Sequence, residues 1–169
     1  ATVGFLVDNS NSMRASRERV IAAAVAFAQH SHPQDEIFAL TFNESVQDAW
    51  RPQRVSEMNP AMFASAMSSA IVARGMTAIY DGIIAGLERL SQARHTRQVL
   101  IVVSDGDDNA SKATREATLK AVRDSDATVY TIALDDPLIR DGNPKLMRQL
   151  AHATGGESYR PRRIADMSD

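Results

Sequence analysis

The sequence predicts a doubly wound α/β domain: a mostly parallel, six-stranded sheet with helices on both faces. Three observations carry this expectation. Short β-branched and apolar runs alternate with longer segments of helical spacing along the chain, the pattern of strand–helix–strand units. The run from Gln98 to Ser104 (QVLIVVS) has no polar interruption before its last residue, which suits a central strand covered on both sides. The chain has 169 residues, 44% hydrophobic and 24% charged, the size and balance of one globular domain with its own core.

Thr2 to Val7 reads as a buried strand that ends in the polar turn Asp8-Asn9-Ser10-Asn11-Ser12. A helix is expected from about Ser16 to Gln29, with Val20, Ala24, Phe27 and Ala28 facing inward and Glu18 in its first turn. Pro33 stops anything that continues past His32. Glu36 to Phe42 and a short Val46 to Trp50 read as strands joined by a hairpin turn at Asn43-Glu44-Ser45. Asn59-Pro60 opens a helix to about Ala70. After a break at Arg74-Gly75-Met76-Thr77, the stripe Ile79, Ile83, Leu87 and Leu90 marks another. Beyond the central strand come a helix from Ala113 to Ser125, a strand from Thr128 to Ala133, and a helix from Pro144 to Thr154 closed by Gly155-Gly156. A last short strand spans Glu157 to Arg160, and the longest irregular stretch is Asp135 to Asn143.

There are no internal repeats, linkers or low-complexity tracts, so residues 1–169 are expected to form a single domain. Ala1 to Val7 is already a core strand, and Ile164 to Asp169 reads as the start of a helix cut short. The sequence is therefore expected to be an excised domain. The formal net charge of -2 favours neither nucleic acid nor an anionic membrane surface as partner. Arg160, Arg162 and Arg163 read as a solvated strand exit. Without cysteine there are no disulfides, thiolate metal sites or thiol nucleophiles. No apolar run approaches the ~18 residues that would span a bilayer.

Oxygen ligands concentrate on three loops. Asp8, Ser10 and Ser12 alternate at the end of the first strand, Thr77 follows a glycine turn, and Asp105 lies just past the central strand in Ser104-Asp105-Gly106-Asp107-Asp108-Asn109. In a doubly wound sheet, ligands bind beyond the carboxyl ends of the strands where the strand order reverses. If the first and central strands are neighbours, Asp8 and Asp105 face each other across that crevice. Two carboxylates with hydroxyls, and no His or Cys, make a hard all-oxygen site suited to Mg2+, with Mn2+ or Ca2+ as alternatives, rather than to zinc. Two carboxylates balance the ion's charge, and an open position can take an acidic group.

Asp8-x-Ser10-x-Ser12, Gly75-Met76-Thr77 and Ser104-Asp105-Gly106 together resemble the metal-ion-dependent adhesion site of von Willebrand factor A domains. The resemblance covers essentially the whole chain. The segments Thr77-Ala78-Ile79-Tyr80-Asp81-Gly82, Ser104-Asp105-Gly106-Asp107-Asp108-Asn109 and Thr154-Gly155-Gly156 are similar to bacterial members in particular. It implies a Rossmann-like fold in which Asp8, Ser10, Ser12, Thr77 and Asp105 bind the ion, some of them through water. Asn9, Asn11, Gly106 and Asp107 then shape the surrounding loops. It also implies an interaction or adhesion module rather than an enzyme, with no catalytic residue, whose metal grips a partner protein's Asp or Glu. The isolated domain is expected to be monomeric and not to insert in a membrane, and the resemblance leans towards an extracytoplasmic setting. Asn11 stands where the family usually has glycine, and asparagine's tolerance of left-handed backbone accounts for that exchange.

Blander readings compete. Asp8, Ser10, Ser12 and Thr77 can be helix caps, and Asp81 a helix-dipole partner. Asp105 to Glu116 imitates a helix–loop–helix calcium loop, but Ala110 stands where that loop needs glycine and a strand precedes it. His30 and His32 fall at a helix end, and Met58, Met62 and Met67 read as packing. Two further functions compete with a metal-dependent binding module. A metal-assisted phosphoester hydrolase lacks a clearly placed base. An assembly domain would bind through other surfaces.

Overall fold

The computed structural model describes residues 1–134 and 142–161. The expectations for 135–141, for Arg162 and Arg163, and for a helix starting at Ile164 lie outside the described residues. Six strands form one sheet: β1 (Thr2–Asp8), β2 (Glu36–Phe42), β3 (Val46–Arg54), β4 (Gln98–Ser104), β5 (Ala127–Ala133) and β6 (Ser158–Tyr159). Their order is β3-β2-β1-β4-β5-β6, and every pairing is parallel except β2 with β3. Helices α1 (Arg17–His30), α2 (Pro60–Ala70), α3 (Ile79–Ser91), α4 (Arg115–Asp124) and α5 (Pro144–His152) cover both faces.

Alternation along each strand divides the core in two. Val3, Phe5 and Val7 of β1 face α1 and α2, where Val20, Ala24, Phe63 and Met67 meet them. Leu6 of β1, with Leu100 and Val102 of β4, faces α3, α4 and α5 through Ile79, Ile83, Val122 and Leu146. Burial on both faces explains why β1 and β4 read as nearly unbroken apolar runs.

Four local readings are corrected. The chain between β1 and α1 is a 3-10 turn, Asn11–Ser16, so α1 starts one residue later than its spacing suggested. Phe27 is 40% exposed, with Ile21 taking the inward position; its ring meets Phe5 edge-on at 5.2 Å from the rim of the core. Met62 is 62% exposed, whereas Met67 is fully buried. β3 runs on through Pro52 to Arg54. That is possible because β3 is the sheet's outer strand, where a missing N–H breaks no ladder, and irregular register between Ile37 and Leu40 absorbs the kink.

Asparagine side chains cap helices α2 and α5. Asn59 Oδ1 accepts the N–H groups of Ala61 and Met62 at the start of α2, and Asn143 Oδ1 accepts that of Leu146 at the start of α5. Gly156, after α5, lies so close to the strand β5 that a Cβ there would collide with the Val129 carbonyl oxygen. That oxygen is backbone of a strand paired on both sides and cannot rotate away. Gly156→Ala should lower stability by about 1–3 kcal/mol in a urea titration; an unchanged midpoint would mean that the α5–β6 connection gives way freely.

Candidate metal centre at the switch point

β1 and β4 are adjacent, and the chain leaves β1 towards β2 on one side while β4 leads to β5 on the other. Strand order therefore reverses between them, and the three oxygen-rich loops meet at the carboxyl ends of these strands.

The first loop starts from Asp8, which is fully buried. Its Oδ1 accepts the Ser10 N–H at 2.9 Å and its Oδ2 accepts the Ser104 hydroxyl at 2.6 Å. Burial pushes the Asp8 carboxyl up to about 6; the hydrogen bonds from Ser10 and Ser104 pull the other way, and the charge of Asp105 adds to the rise. The Ser10 and Ser12 hydroxyls are 3.0 Å apart. Neither serine caps a helix: the 3-10 turn and α1 both start without a side-chain cap. Asn11 does not adopt the left-handed backbone expected for a glycine substitute. Among the described residues Ala73 is the non-glycine residue with positive φ, and Asn11 instead opens the 3-10 turn and donates its N–H to the Gly75 carbonyl at 3.1 Å.

The second loop links α2 to α3 and carries Thr77. Asn9, next to Asp8, holds this loop with its side-chain amide and its backbone carbonyl. Its Nδ2 donates to the Ala70 carbonyl at 2.9 Å, and its Oδ1 accepts the Ala73 N–H at 2.7 Å. Its backbone N–H donates to Phe42 and its carbonyl accepts from Arg74. These bonds hold Ala73 at φ +52, a left-handed geometry that costs a non-glycine residue about 1–2 kcal/mol. Gly75, at φ +94, lets the loop pass the Glu44 carboxylate, which accepts the Met76 N–H at 2.8 Å. That bond holds the Glu44 carboxyl below its ordinary range. Thr77 itself is buried, and its N–H donates to Asn109 Oδ1 at 2.8 Å. Ala78, not Thr77, occupies the cap position of α3, and no side chain caps it.

The third loop follows β4. The half-buried Asp105 accepts the Asp107 N–H on Oδ1 at 3.1 Å. Gly106 has φ +85 and donates its N–H to Ser104 Oγ at 3.0 Å; a Cβ there would lie 2.5 Å from the Asn143 carbonyl oxygen. Two constraints thus require glycine at this position. Glu116 lies in the first turn of α4, exposed, and the run from Asp105 forms no helix–loop–helix calcium loop. His30 and His32 sit at the exposed end of α1, where each ring bonds nearby backbone.

Asp8, Ser10, Ser12, Thr77 and Asp105 are therefore brought to one end of the sheet, with Asn9, Asn11, Gly106 and Asp107 in the loops that carry them. Among the described residues no three His, Asp or Glu side chains gather as a metal cluster. The donor set is instead two carboxylates and neutral hydroxyls, all oxygen, which fits a hard divalent ion and not zinc.

The sequence reading left out Ser104, Asn109 and the full part played by Asp81. Ser104 had a usable signal: it is the polar end of an apolar strand. Because Val7 pairs with Val103, the next step along both strands sets Asp8 beside Ser104. Asp81 was read as a dipole partner, yet its two oxygens accept the N–H groups of Lys112 and Ala113 at 2.9 Å each. Asn109 ends the segment Ser104-Asp105-Gly106-Asp107-Asp108-Asn109, but nothing in that motif pointed to its bond with the Thr77 N–H.

An open sheet wound in both directions, with an oxygen-rich crevice at its switch point, is an architecture shared by a broad class of ligand-binding α/β domains. The chain belongs within that class to the von Willebrand factor type A domain family, whose description matches residues 2–169. No curated protein sequence matches the chain. Among solved structures it is similar to a von Willebrand factor type A protein from Catenulispora acidiphila, with a TM-score of 0.83 and 19% identity over 99% of this chain and 40% of that one. It is also similar to the PilB minor pilin from Streptococcus sanguinis, with a TM-score of 0.76 and 10% identity over 99% of this chain and 58% of that one. An aerotolerance-related membrane protein from Bacteroides fragilis gives a TM-score of 0.75 and 14% identity over 99% of this chain and 94% of that one. At such identities the likeness is one of fold. The chain thus spans two fifths of the Catenulispora chain and nearly all of the Bacteroides one. No helix among the described residues is long and apolar enough to cross a membrane.

Asn9→Ala would strip partners from the Ala73 N–H, which is buried, and from the Ala70 carbonyl. The expected loss is about 2 kcal/mol in urea denaturation. A loss below about 0.5 kcal/mol would show that water replaces both bonds.

Proposed function

We propose that this chain is a metal-dependent protein-binding module in which Mg2+, or Mn2+ or Ca2+ in its place, is held by Asp8, Ser10, Ser12, Thr77 and Asp105 and takes an Asp or Glu side chain of a protein partner. Domains of this family are typically protein-interaction modules. The observation that carries the metal reading is the meeting, at the switch point, of the three loops that carry these residues, while no side chain of Ser10, Ser12 or Thr77 caps a helix. Asp8 adds a physical reason. A carboxylate removed from water, with a second carboxylate near it, is held in an environment that a cation stabilises.

The bound ion supplies a Lewis-acidic position that an incoming carboxylate can complete. The chain's own groups do the rest: Ser104 and the Ser10 N–H orient Asp8, and the Asp107 N–H orients Asp105. With two carboxylates against a divalent ion the site is neutral before the partner arrives, so a third carboxylate meets no excess negative charge from these residues. The hydroxyl ligands matter for that balance, because replacing any one of them with Asp would make the site repel an acid.

Titration calorimetry tests the reading directly. The parent should bind Mg2+, and Asp8→Ala should abolish binding with the far-ultraviolet spectrum unchanged. At Mg2+ about 100-fold above its Kd, linkage adds about 2.7 kcal/mol to the parent's stability. The melting temperature should therefore rise with the metal and fall back on chelation. An Asp8→Ala chain that binds as tightly as the parent would overturn the site. Partner capture that survives chelation would move the binding surface elsewhere on the domain.

A further inference from the structure

Between the start of α3 and the loop after β4 runs a clasp of hydrogen bonds. Asn109 accepts the Thr77 N–H on Oδ1 at 2.8 Å, and its own backbone N–H donates to the Thr77 carbonyl at 2.9 Å. The Ala110 N–H shares that carbonyl at 3.1 Å. Further on, Asp81 accepts the Lys112 and Ala113 N–H groups, and its own N–H donates to Ser111 Oγ at 3.2 Å. The Ser111 hydroxyl donates in turn to Asp108 Oδ1 at 2.5 Å. Both polar groups of the Thr77 backbone are thus committed to the loop that begins at Asp105.

We infer that Asn109 is a positioning residue for Thr77, assisted by Asp81, and that this clasp sets cation affinity by fixing the Thr77 hydroxyl relative to Asp105. The inference rests on the metal reading above. The Thr77 hydroxyl rides on a backbone that cannot shift against the Asp105 loop without breaking three hydrogen bonds. Asn109 is exposed and contributes nothing to either hydrophobic cluster, so its removal loosens the clasp without opening the core. Asp81 holds the far end of the same loop, where its carboxylate takes the place of a backbone acceptor for two consecutive N–H groups.

The test is a double-mutant cycle with Mn2+ as the probe, followed by calorimetry on the parent chain, Asn109→Ala, Thr77→Ala and the double variant. Asn109→Ala should weaken Mn2+ binding about tenfold, the lower end of what the loss of an orienting partner costs a metal site. If Asn109 acts through Thr77, the double variant binds no more weakly than Thr77→Ala alone. Amide exchange in metal-free protein gives a second readout: the Thr77 N–H should lose protection in Asn109→Ala while the β1 and β4 amides keep theirs. Asp81→Asn, which keeps one acceptor oxygen, should weaken Mn2+ binding several-fold, and it supplies the same comparison if Asn109→Ala does not fold. Parent-like affinity in both Asn109→Ala and Asp81→Asn overturns this inference alone, as does additivity with Thr77→Ala. A parent chain that binds no Mn2+ overturns the metal reading and this inference with it.

Discussion

The parallel pairing of β1 with β4 is the constraint on which the rest of the molecule hangs. It joins two segments about a hundred residues apart, in register from Thr2 with Gln98 to Val7 with Val103. One step beyond that register, Asp8 and Ser104 stand side by side and share a 2.6 Å hydrogen bond. Pairing these two buried strands at the centre covers both faces and supplies much of the core. It also leaves their polar ends together where no strand continues. The hydrophobic effect fixes the place of the site, and the site's polar groups play no part in choosing it.

Once there, the loops are held mainly by side-chain amides and carboxylates that substitute for backbone partners. The chain bends sharply at the end of each strand, and such bends leave N–H groups without ladder partners. Asn9 offers an acceptor to Ala73 and a donor to Ala70, Asn109 an acceptor to Thr77, and Asn143 an acceptor to Leu146. Asparagine suits these places because one short side chain carries both roles. Carboxylates would fill the acceptor role but add negative charge around Asp8 and Asp105. Where a carboxylate is used, as at Asp81 and Glu44, it faces backbone N–H groups of its own.

The architecture was legible because burial writes itself into the sequence as period. β2 and β4 match their apolar runs residue for residue, and α3 shows the stripe that faces β4. What period cannot report is where a neighbouring strand lies. β3 was expected to end at Trp50 but continues through Pro52 to Arg54, and its place at the sheet's edge removes the penalty that proline carries in a strand. Phe27 looked inward by spacing but falls at the margin of the stripe. At the site, Asp8, Ser10, Ser12, Thr77 and Asp105 could be picked out because their types and spacing point to oxygen ligation. Asn9 was expected to shape the surrounding loops, but the partners of Asn9 and Asn109 were not legible. Asn109 acts across 32 positions and the Asn9 side chain across 61 and 64, and a pattern within one segment cannot register a bond between segments.

The structural relatives carry that division one step further. A chain with 10% identity superposes on this one over nearly its whole length, so the same fold is reached with largely different side chains. A frame that permissive cannot specify a partner. In the reading proposed above, specificity sits in residues that are exposed and that lie next to the proposed metal ligands. Met76 meets both conditions. It adjoins Thr77, its side chain is 51% exposed, and its backbone is already fixed by Glu44. Asn11, exposed between the two serines and tied by its N–H to Gly75, meets them from the other side. In that reading the cation would select for an acid of any origin, and exposed side chains such as these would tell one acidic partner from another.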